Sequence, residues 1–372
     1  MLLEKLIIAF ARLGNTLREY PSTKESILEK AIKNANKHNG WFTNENILLS
    51  IHSIGEMLRE DKIRKWISAY NFPTHNSTLH TVGVIMAGNI PLVGFHDFLC
   101  VLMSGHNFVG KLSSDDEHLL PAIADILIKL EPEFKEKITF TPTLLLSPSL
   151  PKRERDTRES PPFRGGFRRG VDAFITTGSN NSARYFEHYF GKHPHIIRRN
   201  RNSIAILNGN ENEEDLKNLG KDIFQYFGMG CRNVSKIYIP QNYNLDTFFS
   251  AIVDFGDVIN HNKYYNNHRY YHSIYLLNRE NFLDNNFLML QESPSEIIAS
   301  PVATLYYERY NDLNDLFEKL FIVKDQIQCI AYNHTISSPL DKLRVSYGQT
   351  QSPEVWEYAD GVDTMEFLLN LK

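Results

Sequence analysis

The chain has 372 residues, 42% of them hydrophobic and 12% aromatic, which is enough to bury large cores in two or three domains and excludes global disorder. Forty Lys and Arg against forty-four Asp and Glu leave a net charge of −4, without the basic excess of a protein that binds nucleic acid or a membrane surface. Three widely spaced cysteines, Cys100, Cys231 and Cys329, form neither a disulfide framework nor a zinc cluster, so a reducing, cytoplasmic compartment is expected.

The chain opens with Leu3, Leu6, Ile7, Phe10 and Leu17 near helical spacing, which predicts an amphipathic helix and not a signal core. Residues 1–77 continue as a helical segment, through SILEKAIKNANKHN and NENILLSIHSIGEMLRE. No apolar run reaches the roughly 18 residues of a membrane span. From residue 78 to 208 strands and helices alternate. TVGVIMAG is a strand, FHDFLCVLMSG a helix closed by Gly105, and NFVGKL a strand. The next helix, SSDDEHLLPAIADILIKL, is expected to take Ser113 or Ser114 as its N-cap, with acids in its first turn. KITFT and VDAFITTGS are strands, and NNSARYFEHYFG is a helix. The pattern resumes over residues 209–338, with helices NEEDLKNLGKDIFQYFG, LDTFFSAIVDFG and DLNDLFEKL and strands KIYIP, TLYYERY and QCIAYN. Residues 339–372 are expected to dock back on the body. Such alternation predicts an α/β fold of two doubly wound parallel sheets preceded by a helical segment. The stretch at 144–170 breaks the pattern with recurrent prolines and seven Lys or Arg; it reads as a solvated loop or as a basic flap over anionic phosphates.

Four places carry candidate chemistry. Cys231 follows Gly228-Met-Gly230, where glycines let the backbone turn sharply and bring a substrate close to the sulfur. Arg232 and Lys236 would lower its pKa toward the reactive thiolate; the competing reading is a buried structural cysteine. Cys100 and Cys329 lie in apolar runs and read as structural. In AGNIP, Asn89 sits on a turn at a strand's carboxyl end, where its amide can donate to an oxyanion; ordinary turn chemistry is the alternative. Gly178-Ser179 opens a helix whose first amides could cradle a pyrophosphate, or simply cap, and no GxGxxG accompanies it. HNKYYNNHRYYHS holds His261, His268 and His272, but without an HExxH carboxylate it reads as an aromatic packing segment before it reads as a metal site.

Taken in order, these pieces resemble the aldehyde dehydrogenase superfamily and, more narrowly, the LuxC-type fatty acyl-CoA reductases, over roughly residues 70–372 apart from the 144–170 loop. AGNIP is similar to the superfamily's Asn-x-Pro turn, which implies Asn89 as an oxyanion donor. VGKLSS resembles the strand with a cofactor-binding lysine, which implies Lys111, and TTGS resembles the Thr-Gly-Ser turn, which implies Gly178 and Ser179. FGMGCRNVSK resembles the nucleophile motif, with Cys231 as nucleophile and Lys236 as the basic residue five positions later. EIIASPV is similar to the stretch whose glutamate touches the nicotinamide ribose, which implies Glu296. Aldehyde-oxidising members carry a glutamate that activates water, yet no carboxylate lies between His195 and Leu207 here, so a thioacyl enzyme should survive to be reduced.

The resemblance therefore implies reduction of an acyl-CoA thioester to an aldehyde. Ser114 stands where NAD-preferring relatives place a glutamate, so NADPH is the expected cofactor, with NADH also usable. That expectation has Asp115 and Asp116 facing away in a first helical turn. An acyl-transferring or synthetase partner and a homo-oligomeric state are implied as well. An ordinary NAD(P)-dependent aldehyde dehydrogenase, or a non-catalytic acyl-CoA- or nucleotide-binding relative, are the alternatives.

Overall fold

A computed structural model describes residues 2–22, 26–72, 79–142, 170–294 and 296–371; all but the last residue of the 144–170 stretch lie outside them. The chain forms two compact units, one of residues 1–39, 47–199 and 354–372, the other of residues 40–46 and 200–353.

The first unit opens with four helices, α1 (Leu3–Glu19), α2 (Ser26–His38), α3 (Asn44–Met57) and α4 (Glu60–Ile67), of which α3 begins in the excursion that belongs to the second unit. α1 buries Leu6, Ile7, Phe10, Leu13 and Leu17, the one-sided stripe its spacing predicts. Then follow β1 (Thr81–Ile85), α5 (Phe95–Met103), β2 (Asn107–Lys111), α6 (Leu119–Leu130), β3 (Ile138–Phe140), β4 (Ala173–Thr177), α7 (Asn180–Phe190) and β5 (His195–Arg198). The strands make one parallel sheet in the order β3-β2-β1-β4-β5. Val82, Val84, Phe108, Phe174 and Ile175 are fully buried, as strands covered on both faces require.

α6 departs from the expected start. It begins at Leu119 with His118 at the N-cap position, so Ser113 to Glu117 form a loop before it. Asp116 causes this, because its carboxylate is drawn inward to accept the N–H of Leu92 at 2.8 Å, together with the N–H of Leu119. Pro121 then falls in the first helical turn, where no intrahelical donor is needed.

The second unit contains β6 (Asn202–Ile206), α8 (Glu213–Phe224), β7 (Val234–Pro240), α9 (Leu245–Ala251), α10 (Asn262–Asn278), β8 (Phe282–Asp284), β9 (Met289–Glu292), β10 (Thr304–Tyr310), α11 (Leu313–Ile322), β11 (Ile327–Ala331) and β12 (Arg344–Val345). Its seven strands run β12-β11-β6-β7-β10-β9-β8, parallel except for the β8–β9 pair. The expected boundary at 208 thus gives way to one at 199/200. β6 pairs with β7 and β11, and hydrogen bonds to those strands outweigh its sequence proximity to β5.

Residues 339–353 stay with the second unit, whereas 354–372, including α12 (Thr364–Leu369), belong to the first. Trp66 Nε1 donates to Tyr358 Oη at 2.7 Å, and buried Arg198 donates to Asp97 at 2.5 Å and to Thr364 Oγ1 at 2.8 Å. The N-terminal helices likewise join the first sheet's unit and are not a body of their own. Among the described residues no helix is long and apolar enough to cross a membrane.

Candidate functional site

In the first unit the strand order reverses its progression between β1 and β4, and open α/β sheets bind ligands outside the strand carboxyl ends at such a point. Register sets the level of the candidates there, because Ile85 at the end of β1 pairs with Lys111 on one side and Thr176 on the other. Lys111 is half-buried, and its ammonium makes no hydrogen bond or ion pair among the described residues. Gly178 follows β4, and Ser179 caps α7 by accepting the Ser182 N–H at 3.2 Å. Thr176 is fully buried, with its Oγ1 unpartnered among the described residues. After β1, Gly88 packs against the loop following β2; a Cβ there would lie 2.6 Å from Ser113 Cβ and Oγ. That loop is tied to the end of α2, through His38 Nε2 at 2.8 Å from the Ser114 carbonyl and Asn39 Nδ2 donating to the Asp115 carbonyl at 3.3 Å. It leaves Ser114 and Asp115 exposed, while Asn89 is half-buried.

In the second unit Cys231 lies in the turn between α8 and β7, at the amino end of that strand, half-buried and outside any disulfide. Three consecutive residues ahead of it have left-handed backbone, Tyr226 (φ 52°), Phe227 (φ 58°) and Gly228 (φ 75°). Glycine takes this freely, but each aromatic residue costs about 1–2 kcal/mol there, so packing must impose it. Phe227 stacks on His261 at 4.3 Å and meets Trp41 at 5.4 Å, and Tyr226 is buried. Asn233 then ties the turn shut. Its Nδ2 donates to the carbonyls of Asp222 at 2.9 Å and Gln225 at 2.8 Å, and its Oδ1 accepts the Gly230 N–H at 2.7 Å. Asp222, buried on α8, holds the Gly348 N–H (2.6 Å) and both the N–H (3.1 Å) and hydroxyl (2.8 Å) of Thr350; burial pushes its carboxyl up to about 6. The Thr350 carbonyl in turn accepts from Arg232 Nε.

The other two thiols are unlike Cys231. Burial pushes Cys329 up to about 11, with its Sγ 3.0 Å from Ser203 Oγ, and burial raises the fully buried Cys100 as well. Lys236 is engaged by several acceptors. It is buried, its ammonium donates to the carbonyls of Ser293 (3.0 Å), Pro294 (2.7 Å) and Ile297 (3.3 Å), and it pairs with Glu308 at 2.9 Å. Four acceptors share its three N–H donors and tie it to Ser293, Pro294, Ile297 and Glu308. Glu296 is exposed on that segment.

No family model matches the chain, and no curated protein matches it by sequence. Solved structures do match. An aldehyde dehydrogenase from Bacillus cereus in complex with NAD+ superposes with a TM-score of 0.64 at 11% identity, over 99% of this chain and 83% of that one. A mutant of the P. syringae indole-3-acetaldehyde dehydrogenase AldA, bound to NAD+ and IAA, gives 0.67 at 10% identity over 99% and 83%. An E. coli NADP-dependent enzyme gives 0.59 at 11% identity over 91% and 79%. The chain has the aldehyde dehydrogenase fold.

Within this aldehyde dehydrogenase fold the first unit carries Lys111 at the carboxyl end of β2 and Asn89, Ser114, Gly178 and Ser179 in the segments that follow its strands. The second unit carries Cys231 and Glu296, joined through β7 and Lys236. His268 and His272 face Asp284 at 3.1 and 3.6 Å from one side of α10, and among the described residues no three His, Cys, Asp or Glu are arranged to hold a metal. Sequence reasoning missed Asn233, Asp222 and Asp116. Asp222 left a signal, since it interrupts the α8 stripe of Leu216, Leu219 and Ile223 that otherwise faces the core. Asn233 and Asp116 left none, because their partners are backbone groups that no side-chain pattern reveals.

Proposed function

We propose that this protein is an acyl-CoA reductase that uses NADPH to convert a fatty acyl thioester into the aldehyde through a thioacyl-Cys231. The observation that carries the reading is the built turn around Cys231, with three left-handed residues imposed by packing and an Asn233 knot around the one cysteine of three that reaches solvent. Strain held at that cost is characteristic of functional turns.

The first unit fits a nicotinamide dinucleotide. A Lys111 ammonium and a Thr176 hydroxyl without partners among the described residues, the close-packed Gly88 and the Ser179-capped start of α7 lie around its topological switch point. Lys111, Ser114, Gly178 and Ser179 would hold that cofactor, and Glu296 is its proposed ribose contact. When bound, a dihydronicotinamide supplies a hydride to the thioacyl carbon. The chain's own groups do the rest. Cys231 attacks the thioester carbonyl as thiolate, its sulfur–carbon bond forms, and CoA departs as thiolate. The Cys231 N–H is proposed to stabilise the oxyanion, with Asn89 as the second donor that the resemblance implies, each worth about 3–4 kcal/mol. After reduction the thiohemiacetal releases aldehyde and restores the thiolate. The stretch from His195 to Leu207, which forms β5 and β6, carries no carboxylate to activate water, which favours reduction over hydrolysis.

The test is mass spectrometry of the protein incubated with an acyl-CoA and no cofactor. An acyl adduct on Cys231, absent from Cys231→Ala together with NADPH-dependent turnover, is expected. An adduct on Cys100 or Cys329, or an active Cys231→Ala, overturns the reading.

A further inference from the structure

The turn that carries Asn89 is held in an unfavourable backbone conformation. Leu92, three residues on, has φ 60°, the left-handed region that costs a leucine about 1–2 kcal/mol. Leu92 is buried, so no solvent contact offsets that cost. Two side chains from other parts of the first unit hold it there. The buried Asp116 carboxylate accepts the Leu92 N–H at 2.8 Å, and Ser50 on α3, also buried, donates its hydroxyl to the Pro91 carbonyl at 2.6 Å.

Asp116 is an odd choice for a merely structural acceptor. Its Oδ1 is buried without a partner among the described residues, and burial pushes its carboxyl up to about 6, eased by the N–H groups of Leu92 and Leu119. A buried carboxylate with one idle oxygen is unfavourable at neutral pH, so stability alone does not explain it. Asp116 ends a loop, closed by its own N–H on the Ser113 carbonyl at 3.2 Å, whose Ser113 side chain lies close against Gly88. The Asp116 carboxylate thereby holds the Leu92 end of the Gly88–Leu92 turn, while its loop neighbours Ser113 and Asp115 pack against the Gly88 end, with Asn89 between them.

We infer that Asp116, assisted by Ser50, is a positioning residue that fixes the Asn89 side chain for oxyanion stabilisation. The inference rests on the proposed role of Asn89. It needs the acceptor and not the charge, because among the described residues the carboxylate's contacts are N–H donations from Leu92 and Leu119.

Steady-state reduction of an acyl-CoA by NADPH is to be measured in the full chain for wild type, Asn89→Ala, Asp116→Ala, Asp116→Asn and Ser50→Ala, with Cys231 alkylation by iodoacetamide as a second readout. In Asp116→Ala kcat should fall by about 10–100-fold, with both KM values within about threefold, since a small misplacement of a catalytic donor has that effect. Asp116→Asn, whose amide oxygen still accepts the Leu92 N–H, should stay within about threefold of wild type, and Ser50→Ala should lose about three- to tenfold in kcat. Alkylation of Cys231 should be unchanged in all four.

Unchanged turnover in Asn89→Ala overturns the Asn89 role and this inference with it. Impaired Asn89→Ala with normal Asp116→Ala overturns the inference alone. So does an Asp116→Asn as impaired as Asp116→Ala, or a raised KM for NADPH with kcat intact. Should Asp116→Ala fail to fold, Ser50→Ala decides, and a normal kcat in it overturns the inference.

Discussion

Leu92 in the turn after β1 and Tyr226–Phe227 in the turn before β7 all have positive φ, yet different chemistry holds them there. In the first unit the restraint is a buried carboxylate and a hydroxyl reaching backbone groups. In the second it is the neutral Asn233 amide, satisfied at three points, with aromatic stacking of Phe227 on His261 and a buried lysine bracing the neighbouring segment. An amide with its donors and acceptor all engaged is indifferent to pH, whereas a carboxylate pushed up to about 6 is not. Asp222, likewise pushed up to about 6, reaches the cysteine turn only through its backbone carbonyl, so the Asn89 turn, held by a carboxylate directly, should be the more pH-sensitive of the two.

The largest effect expected from breaking this contrast is at Lys236. Lys236→Met removes a buried cation that pairs with Glu308 and satisfies three carbonyls, and should destabilise the chain by about 3–5 kcal/mol, read as a shift in urea midpoint. If Lys236 braces the segment and does not acidify the thiol, alkylation of Cys231 in the folded variant changes less than about threefold at pH 7. A larger slowing would return Lys236 to the thiol.

Asn233→Ala comes next. It removes two donors and one acceptor from buried backbone groups, so a loss of about 2–4 kcal/mol is expected, along with slower acylation of Cys231. A variant within about 0.5 kcal/mol of wild type would show that packing alone shapes the turn.

Asp116→Asn should act in the opposite direction. A carboxyl whose folded pKa is raised to about 6 from 3.8 contributes stability that is fully present below the unfolded value and is lost as pH rises through the folded one. The amide has no such loss, so the variant should gain about 1–3 kcal/mol over wild type at pH 7.5 and nothing at pH 3.5, measured by paired melting curves. A constant difference across that range would mean that Asp116 is not the titrating group.

The smallest effect concerns the cofactor. NADPH should be used at least as well as NADH, and Ser114→Glu should move the ratio of kcat/KM values about tenfold toward NADH, or about 1.4 kcal/mol. Asp115 is exposed beside Ser114 and not turned away in a helix, because α6 starts later than its sequence indicates. Its charge should blunt the wild-type preference, and Asp115→Ala should sharpen it. An NADH preference above about tenfold in the wild type would refute the Ser114 reading.

What could be read from the sequence is what depends on neighbours along the chain. Apolar strands alternating with one-sided helices specify two parallel sheets, because such strands must be covered on both faces. Glycines near a cysteine and an Asn-Pro turn after a strand mark places where backbone bends, and both lie on turns at strand ends. Tertiary structure alone decided how those turns are held. Asp116 meets Leu92 from 24 residues away, Ser50 meets Pro91 from 41, and Lys236 meets the 293–297 segment from about 60. Serine, aspartate and lysine are ordinary surface residues until a buried backbone group claims them, and no local periodicity records which group that will be. Likewise, where β6 pairs was settled by which strand edges had unpaired hydrogen bonds, a property of the assembled sheet and not of the residues Asn202–Ile206 themselves.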